Sequence, residues 1–162
     1  MKKRFKVLLF VLFFALVLTG CGDKEEGSKK SKTMTREDIV DELHTVNNEI
    51  TELWNEVICN VSWYSRTGTD SVGDELDIEF LIEHMDRYFN KVRDRKEFIN
   101  GLSEEYNDIK DAYNKLLEQA NIIYDELKKE TPKPNVELSY RENISLFTQY
   151  QDYLWDVIMD LE

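Results

Sequence analysis

Beyond residue 27 the chain contains only five helix-breaking residues, Gly68, Gly73, Gly101, Pro132 and Pro134, and these mark three connections. In the long stretches between them, apolar residues recur at alternating steps of three and four. That spacing stacks side chains on one face of a helix, so the pattern predicts four amphipathic helices. With short connections, such helices close on one another as an all-α, antiparallel up-down-up-down four-helix bundle.

The first helix is predicted from about Arg36 to Arg66, with Thr35 and Asp38 as a capping box. Its expected seam is Ile39, Leu43, Val46, Ile50, Leu53, Val57, Asn60 and Tyr64. The second, from about Glu75 to Ile99, carries Ile78, Leu81, Met85, Tyr88, Val92, Arg95 and Ile99. Asp74 is its expected cap, and Asn100-Gly101 its expected left-handed stop. The third follows Ser103 as N-cap, with a seam of Tyr106, Ile109, Tyr113, Leu116, Ala120, Ile123 and Leu127. The fourth is expected to start at the Ser139-Tyr140-Arg141-Glu142 capping box and to bury Ile144, Phe147, Gln151, Leu154, Ile158 and Leu161.

The segment ahead of the helices obeys different rules. Lys2, Lys3, Arg4 and Lys6 precede an unbroken apolar run of 12 residues, Val7 to Leu18. A helical membrane span needs roughly 20 apolar residues, whereas the apolar region of an export signal needs about 7 to 15. The run reads as a targeting signal, and Leu18-Thr19-Gly20-Cys21 after it resembles the lipobox of bacterial lipoproteins.

That resemblance implies cleavage before Cys21 and a diacylglyceryl group on its thiol, so Cys21 is the expected lipidation site. It places the protein on the outer face of the bacterial cytoplasmic membrane, held by a lipid anchor. The chain then divides into a lipoprotein signal peptide (1–20), the lipidated cysteine with a flexible tether (21–34) and the bundle (35–162). The tether is a run of Gly, Ser, Lys, Asp, Glu and Thr without an apolar cluster. The other reading of the segment is an ordinary secretory peptide, or a short uncleaved anchor, with a chance cysteine.

Charge narrows the partners. The whole chain carries −12. Removing residues 1–20 takes away four basic and no acidic side chains and leaves −16. Such a surface repels nucleic acid and anionic headgroups, so no nucleic-acid partner is expected. With Cys21 consumed, Cys59 is the one remaining thiol and is expected to serve as a small buried hydrophobe.

Catalytic and metal motifs are not legible. A carboxylate-bridged di-metal bundle needs Glu-x-x-His on two helices, and Asp41-x-x-His44 is the nearest approach. The only other histidine, His84, is predicted opposite Val57, so no two-histidine metal site is expected, and with no Gly-x-Ser-x-Gly elbow, phosphate loop or Cys-His arrangement legible, no cofactor and no enzymatic activity are expected. The Arg87, Lys91, Arg93, Arg95 and Lys96 cluster is expected to pair within the chain, Arg93 with Asp111 and Lys96 with Asp108.

The functional expectation is a monomeric, non-enzymatic lipoprotein that acts as a protein-interaction module at the cell envelope. The alternative is a small-molecule or solute-binding lipoprotein associated with a transporter, although that class usually needs two α/β lobes. Loops on a rigid scaffold commonly carry function. The partner site is therefore expected at the membrane-distal tip, where Arg66 to Asp74 meets Thr131 to Val136, with Trp63, Tyr64 and Tyr140 as aromatic contacts and Arg66 and Lys133 as charged ones. Plugging of the bundle end is the competing role for Trp63 and Tyr64.

Overall fold

The computed structural model describes residues 34–161, and the signal segment, Cys21 and all of the tether but Met34 lie outside them. The described residues form a helical bundle of four helices without a β-strand; the one β-bridge, Thr69 to Glu75, pins a loop. Helix α1 comprises Arg36–Leu53, a π-helical turn Trp54–Ile58, and Cys59–Thr67. Helix α2 comprises Ile78–His84, Asp86–Asp94 and Lys96–Gly101, joined through Met85 and Arg95 in right-handed helical conformation. A 3-10 turn, Glu104–Tyr106, leads into α3, Asn107–Lys129, and α4 is Arg141–Met159. Each helix touches the next in sequence, and α4 returns to α1.

The first helix starts as its sequence predicts. The Thr35 hydroxyl accepts from the Asp38 N–H at 3.1 Å, and the Asp38 carboxylate accepts from the Thr35 N–H at 2.8 Å, so two orphan donors are satisfied reciprocally. The helix ends at Gly68, whose φ of +81° lets its N–H reach the Tyr64 carbonyl at 2.8 Å. A side chain there would meet the Pro134 ring, because an ideal Cβ falls 3.2 Å from Pro134 Cβ.

Four other helix ends differ from expectation. Helix α2 begins at Ile78, with the Asp77 carboxylate accepting from the Phe80 N–H at 2.9 Å. Asp74 is not the cap because its backbone is held in the preceding loop, where the Asp70 carboxylate takes the N–H groups of Val72 and Asp74. Gly101 supplies no left-handed stop; it is the last helical residue, and Leu102 ends the helix in extended conformation. No side chain caps α4, which is entered from Tyr140 through an Arg141 N–H to Leu138 carbonyl bond of 3.2 Å. The Ser103 hydroxyl likewise caps nothing and donates to Glu105.

The α3 seam is buried at every position predicted. On α1 the seam holds through Leu43, Val46, Ile50, Leu53 and Val57, then moves by one residue to Ile58, Val61 and Ser65. The π-turn is the cause. It adds one residue to a turn, with the Cys59 N–H bonded to the Trp54 carbonyl, and so rotates all that follows. Asn60 and Tyr64 leave the core line and become half-buried, as does Cys59, which is not the buried hydrophobe expected. Phe89 and Phe147 are among the largest fully buried side chains, and Trp54 stacks on Phe147 at 6.3 Å.

Two members of the basic cluster, Lys91 and Arg95, form ion pairs, and these are with α1; among the described residues Lys96 does not pair with Asp108. Lys91 meets Glu52 at 2.6 Å, and Arg95 meets Glu49 at 2.7 Å and Glu42 at 3.3 Å. The Glu49 hydrogen bond holds the Arg95 guanidinium still more firmly protonated. Arg93 bonds Asn121 at 2.8 Å rather than Asp111, which pairs with Lys115 in its own turn. The residues from Leu102 to Tyr106 form an extended step and a 3-10 turn instead of a tight reversal at Gly101, so α3 enters later than the simple count assumed. Partner numbers on α1 fall as those on α2 rise, and Gln151 reaches Thr51 while Arg36 reaches the Leu161 carbonyl.

Two buried phenols separate hydrogen bonding from burial. The Tyr113 hydroxyl donates to the Val92 carbonyl, whereas the Tyr140 hydroxyl is buried without a hydrogen-bond partner among the described residues. Burial pushes both phenols well above their usual range. Because the folded values are raised, ionisation of either phenol leaves folding unaffected below about pH 10, the unfolded value, and lowers stability as pH rises beyond it. Tyr113→Phe is expected to cost about 1 to 2 kcal/mol. Tyr140→Phe is expected to be neutral or stabilising, since it removes an unsatisfied buried hydroxyl. Urea midpoints of the two variants at neutral pH and above pH 10 check this, and equal losses at neutral pH would contradict it.

Candidate functional site

The connection that enters α4 is tied to the end of α1 by a main-chain bond and packs against the loop that leaves α1. The Val136 N–H donates to the Ser65 carbonyl at 3.1 Å, and Gly68 packs against Pro134. Asn60 secures the other loop: its side-chain oxygen accepts from the Ser71 N–H at 3.1 Å. The same side chain donates to the Asn55 carbonyl at 3.1 Å, so the residue displaced from the core by the π-turn bonds that turn and holds the loop. Among the described residues, this end is an ordered platform built from the end of α1, the loop to α2 and the loop to α4.

The expected contact residues divide. Trp63 is 40% exposed and plugs nothing; the Arg66 guanidinium lies 4.6 Å over its ring, with Nε bonded to the Ser62 carbonyl at 3.2 Å. Tyr64 is half-buried against the core, and Lys133 is exposed and paired with Glu130 at 2.9 Å. Tyr140 is only 5% exposed, so it cannot be the surface contact expected of it; the turn into α4 packs its ring inward.

Three further residues of this end were not singled out in the sequence. Val72 is 80% exposed at the apex of its loop, Phe80 is 57% exposed in the first turn of α2, and Val136 is half exposed on the second connection. Their signal is an apolar side chain in a polar loop or off the seam of its helix, where burial cannot account for it. Phe80 also stacks on His84 at 4.1 Å between centroids, and the His84 Nδ1 lies 2.9 Å from the Phe80 carbonyl.

Beside Trp63 the surface dips into an open depression of about 580 Å³, bounded by Ser62, Ser65 and Arg66 of α1 and by Asn135, Leu138, Arg141 and Ser145. Arg141 reaches Glu137 at its edge at 3.0 Å. No group of three or more His, Cys, Asp or Glu side chains among the described residues is placed to hold a metal ion. His44 lies elsewhere, edge-on to Trp155 at 6.1 Å.

No family model, no curated protein and no solved structure matches this chain.

Proposed function

We propose that the chain is a lipid-anchored lipoprotein of the bacterial cell envelope. Its bundle runs up-down-up-down and presents the paired 68–77 and 130–140 connections, away from the membrane, to a protein partner; its role is binding rather than catalysis. The export-type signal ahead of Cys21 supports the anchor. The falling partner numbers between α1 and α2, Glu52 with Lys91 and Glu49 with Arg95, support the antiparallel order.

The observation that carries the binding role is the set of Trp63, Val72, Phe80 and Val136. These four apolar side chains are exposed at one end of the domain on loops and helix ends that main-chain and Asn60 bonds hold in place. Exposed apolar side chains gathered on one surface mark interaction sites, whereas singly scattered ones do not. The test is affinity capture from crosslinked native membranes with the full chain as bait. Replacing residues 69–75 and 133–137 with Gly/Ser loops is expected to abolish recovery of the captured partner while helical content is kept. Recovery at the wild-type level by that variant would reject this end as the binding surface.

A further inference from the structure

We infer that the depression between α1 and α4 seats an acidic side chain of the protein partner, with its carboxylate on Arg66 and Arg141 and its apolar neighbours on Trp63, Leu138 and Ile144. The inference rests on the proposal that this end binds a protein, and it adds the chemistry of what is bound. Acid outnumbers base in the chain by 33 to 21, and most lysines and arginines of the domain whose contacts are resolved sit on carboxylates. Arg66 does not. Its Nε is committed to the Ser62 carbonyl and its face to the Trp63 ring, while its two Nη groups make no hydrogen bond or ion pair among the described residues.

The guanidinium is thus oriented at one edge and one face, with its paired outer donors left over, which is the geometry that takes a carboxylate through two parallel bonds. Arg141 lines the same depression. Its present partner, Glu137, is a screened surface group exposed on both sides of the pair, so an incoming carboxylate can share or displace it. Beneath them lie Ile144, which is buried, and Leu138, which is half-buried. This apolar floor, with exposed Trp63 and Val136 nearby, favours a peptide that alternates apolar and acidic side chains over a hydrophilic phosphate polymer.

The test uses isotope-labelled full chain in zwitterionic detergent micelles, titrated with acetyl-Leu-Glu-Leu-amide, its Leu-Gln-Leu counterpart and glycerol phosphate. The glutamyl peptide is expected to shift the Trp63 indole and Arg66 Nε resonances saturably, at least about fivefold more tightly than the glutaminyl peptide, and less tightly as salt is raised. Arg66→Ala and Arg141→Ala are each expected to weaken it by roughly fivefold to tenfold, with the spectrum of the α3 core unchanged. Equal binding of the two peptides, wild-type affinity in Arg66→Ala, or tighter binding of glycerol phosphate would overturn the assignment. If neither peptide binds while loop replacement still abolishes partner capture, the carboxylate assignment fails and the binding end stands.

Discussion

Deletion of Asn55 is expected to leave the domain folded, whereas deletion of Glu118 is expected to unfold it. Both residues are exposed on long helices, and by composition alone neither loss should matter. The difference lies in helical phase. Removing one residue from a regular α-helix rotates everything beyond it by about 100° relative to the core. In α3 that turns the fully buried Ile123 and Leu127 away from their partners and moves charged neighbours toward the interior. Withdrawing a large apolar side chain costs about 1.5 to 3 kcal/mol, so several such losses approach the whole stability of a small domain, about 5 to 15 kcal/mol.

In α1 the π-turn already holds the surplus residue. Taking Asn55 out of Trp54–Ile58 converts that turn to ordinary α-helix and leaves Ile58, Val61 and Ser65 facing inward. The local loss is the hydrogen bond from Asn60 to the Asn55 carbonyl, worth about 1 kcal/mol. Thermal and urea unfolding of the two deletion variants, followed by circular dichroism, decides the matter. If Asn55 deletion destabilises as severely as Glu118 deletion, the π-turn is not what keeps the second half of α1 in phase.

The same turn explains what was legible in the sequence and what was not. The period of the apolar residues is a property of regular helix, so the seam of α3, which is regular from Asn107 to Lys129, is legible in the sequence although its start is not. One inserted residue leaves composition and local period almost untouched while changing which side chains face the core beyond it, so the period alone puts Asn60 and Tyr64 on the seam and leaves Val61 and Ser65 off it. The capping box is legible at Thr35 and Asp38, where both bonds form, but the same Ser-x-x-Glu pattern at Ser139 and Glu142 caps nothing, because α4 is entered from Tyr140 through a main-chain turn. Helix ends are misplaced where main-chain bonds of a loop compete for the same residue, as at Asp74.

The candidate site was half legible for a related reason. That the two loops meet follows from helix order, and Trp63 and Arg66 follow from their position at the end of α1. That Tyr140 points inward while Val72 and Phe80 point outward depends on how each loop is folded, and Asp70, Asn60 and the Val136 bond to Ser65 set that through contacts between residues far apart in sequence.

Cys21→Ser is expected to remove the protein from the membrane fraction or to leave it as an uncleaved precursor. The basic residues Lys2 to Lys6 and the 12-residue apolar run end three residues before this cysteine, at the spacing of a processed export signal. Two acyl chains on the thiol would supply a stable anchor, each buried methylene contributing about 0.8 kcal/mol, and a serine cannot carry them by thioether. Fractionation, gel migration and incorporation of labelled palmitate, compared between wild type and variant, test this together; a variant matching wild type in all three would reject lipidation at Cys21. No helix among the described residues is long and apolar enough to cross a membrane. The charge of −16 that cleavage before Cys21 would leave repels an anionic bilayer over a Debye length of about 8 Å, so a cleaved domain without a lipid would have no electrostatic reason to stay.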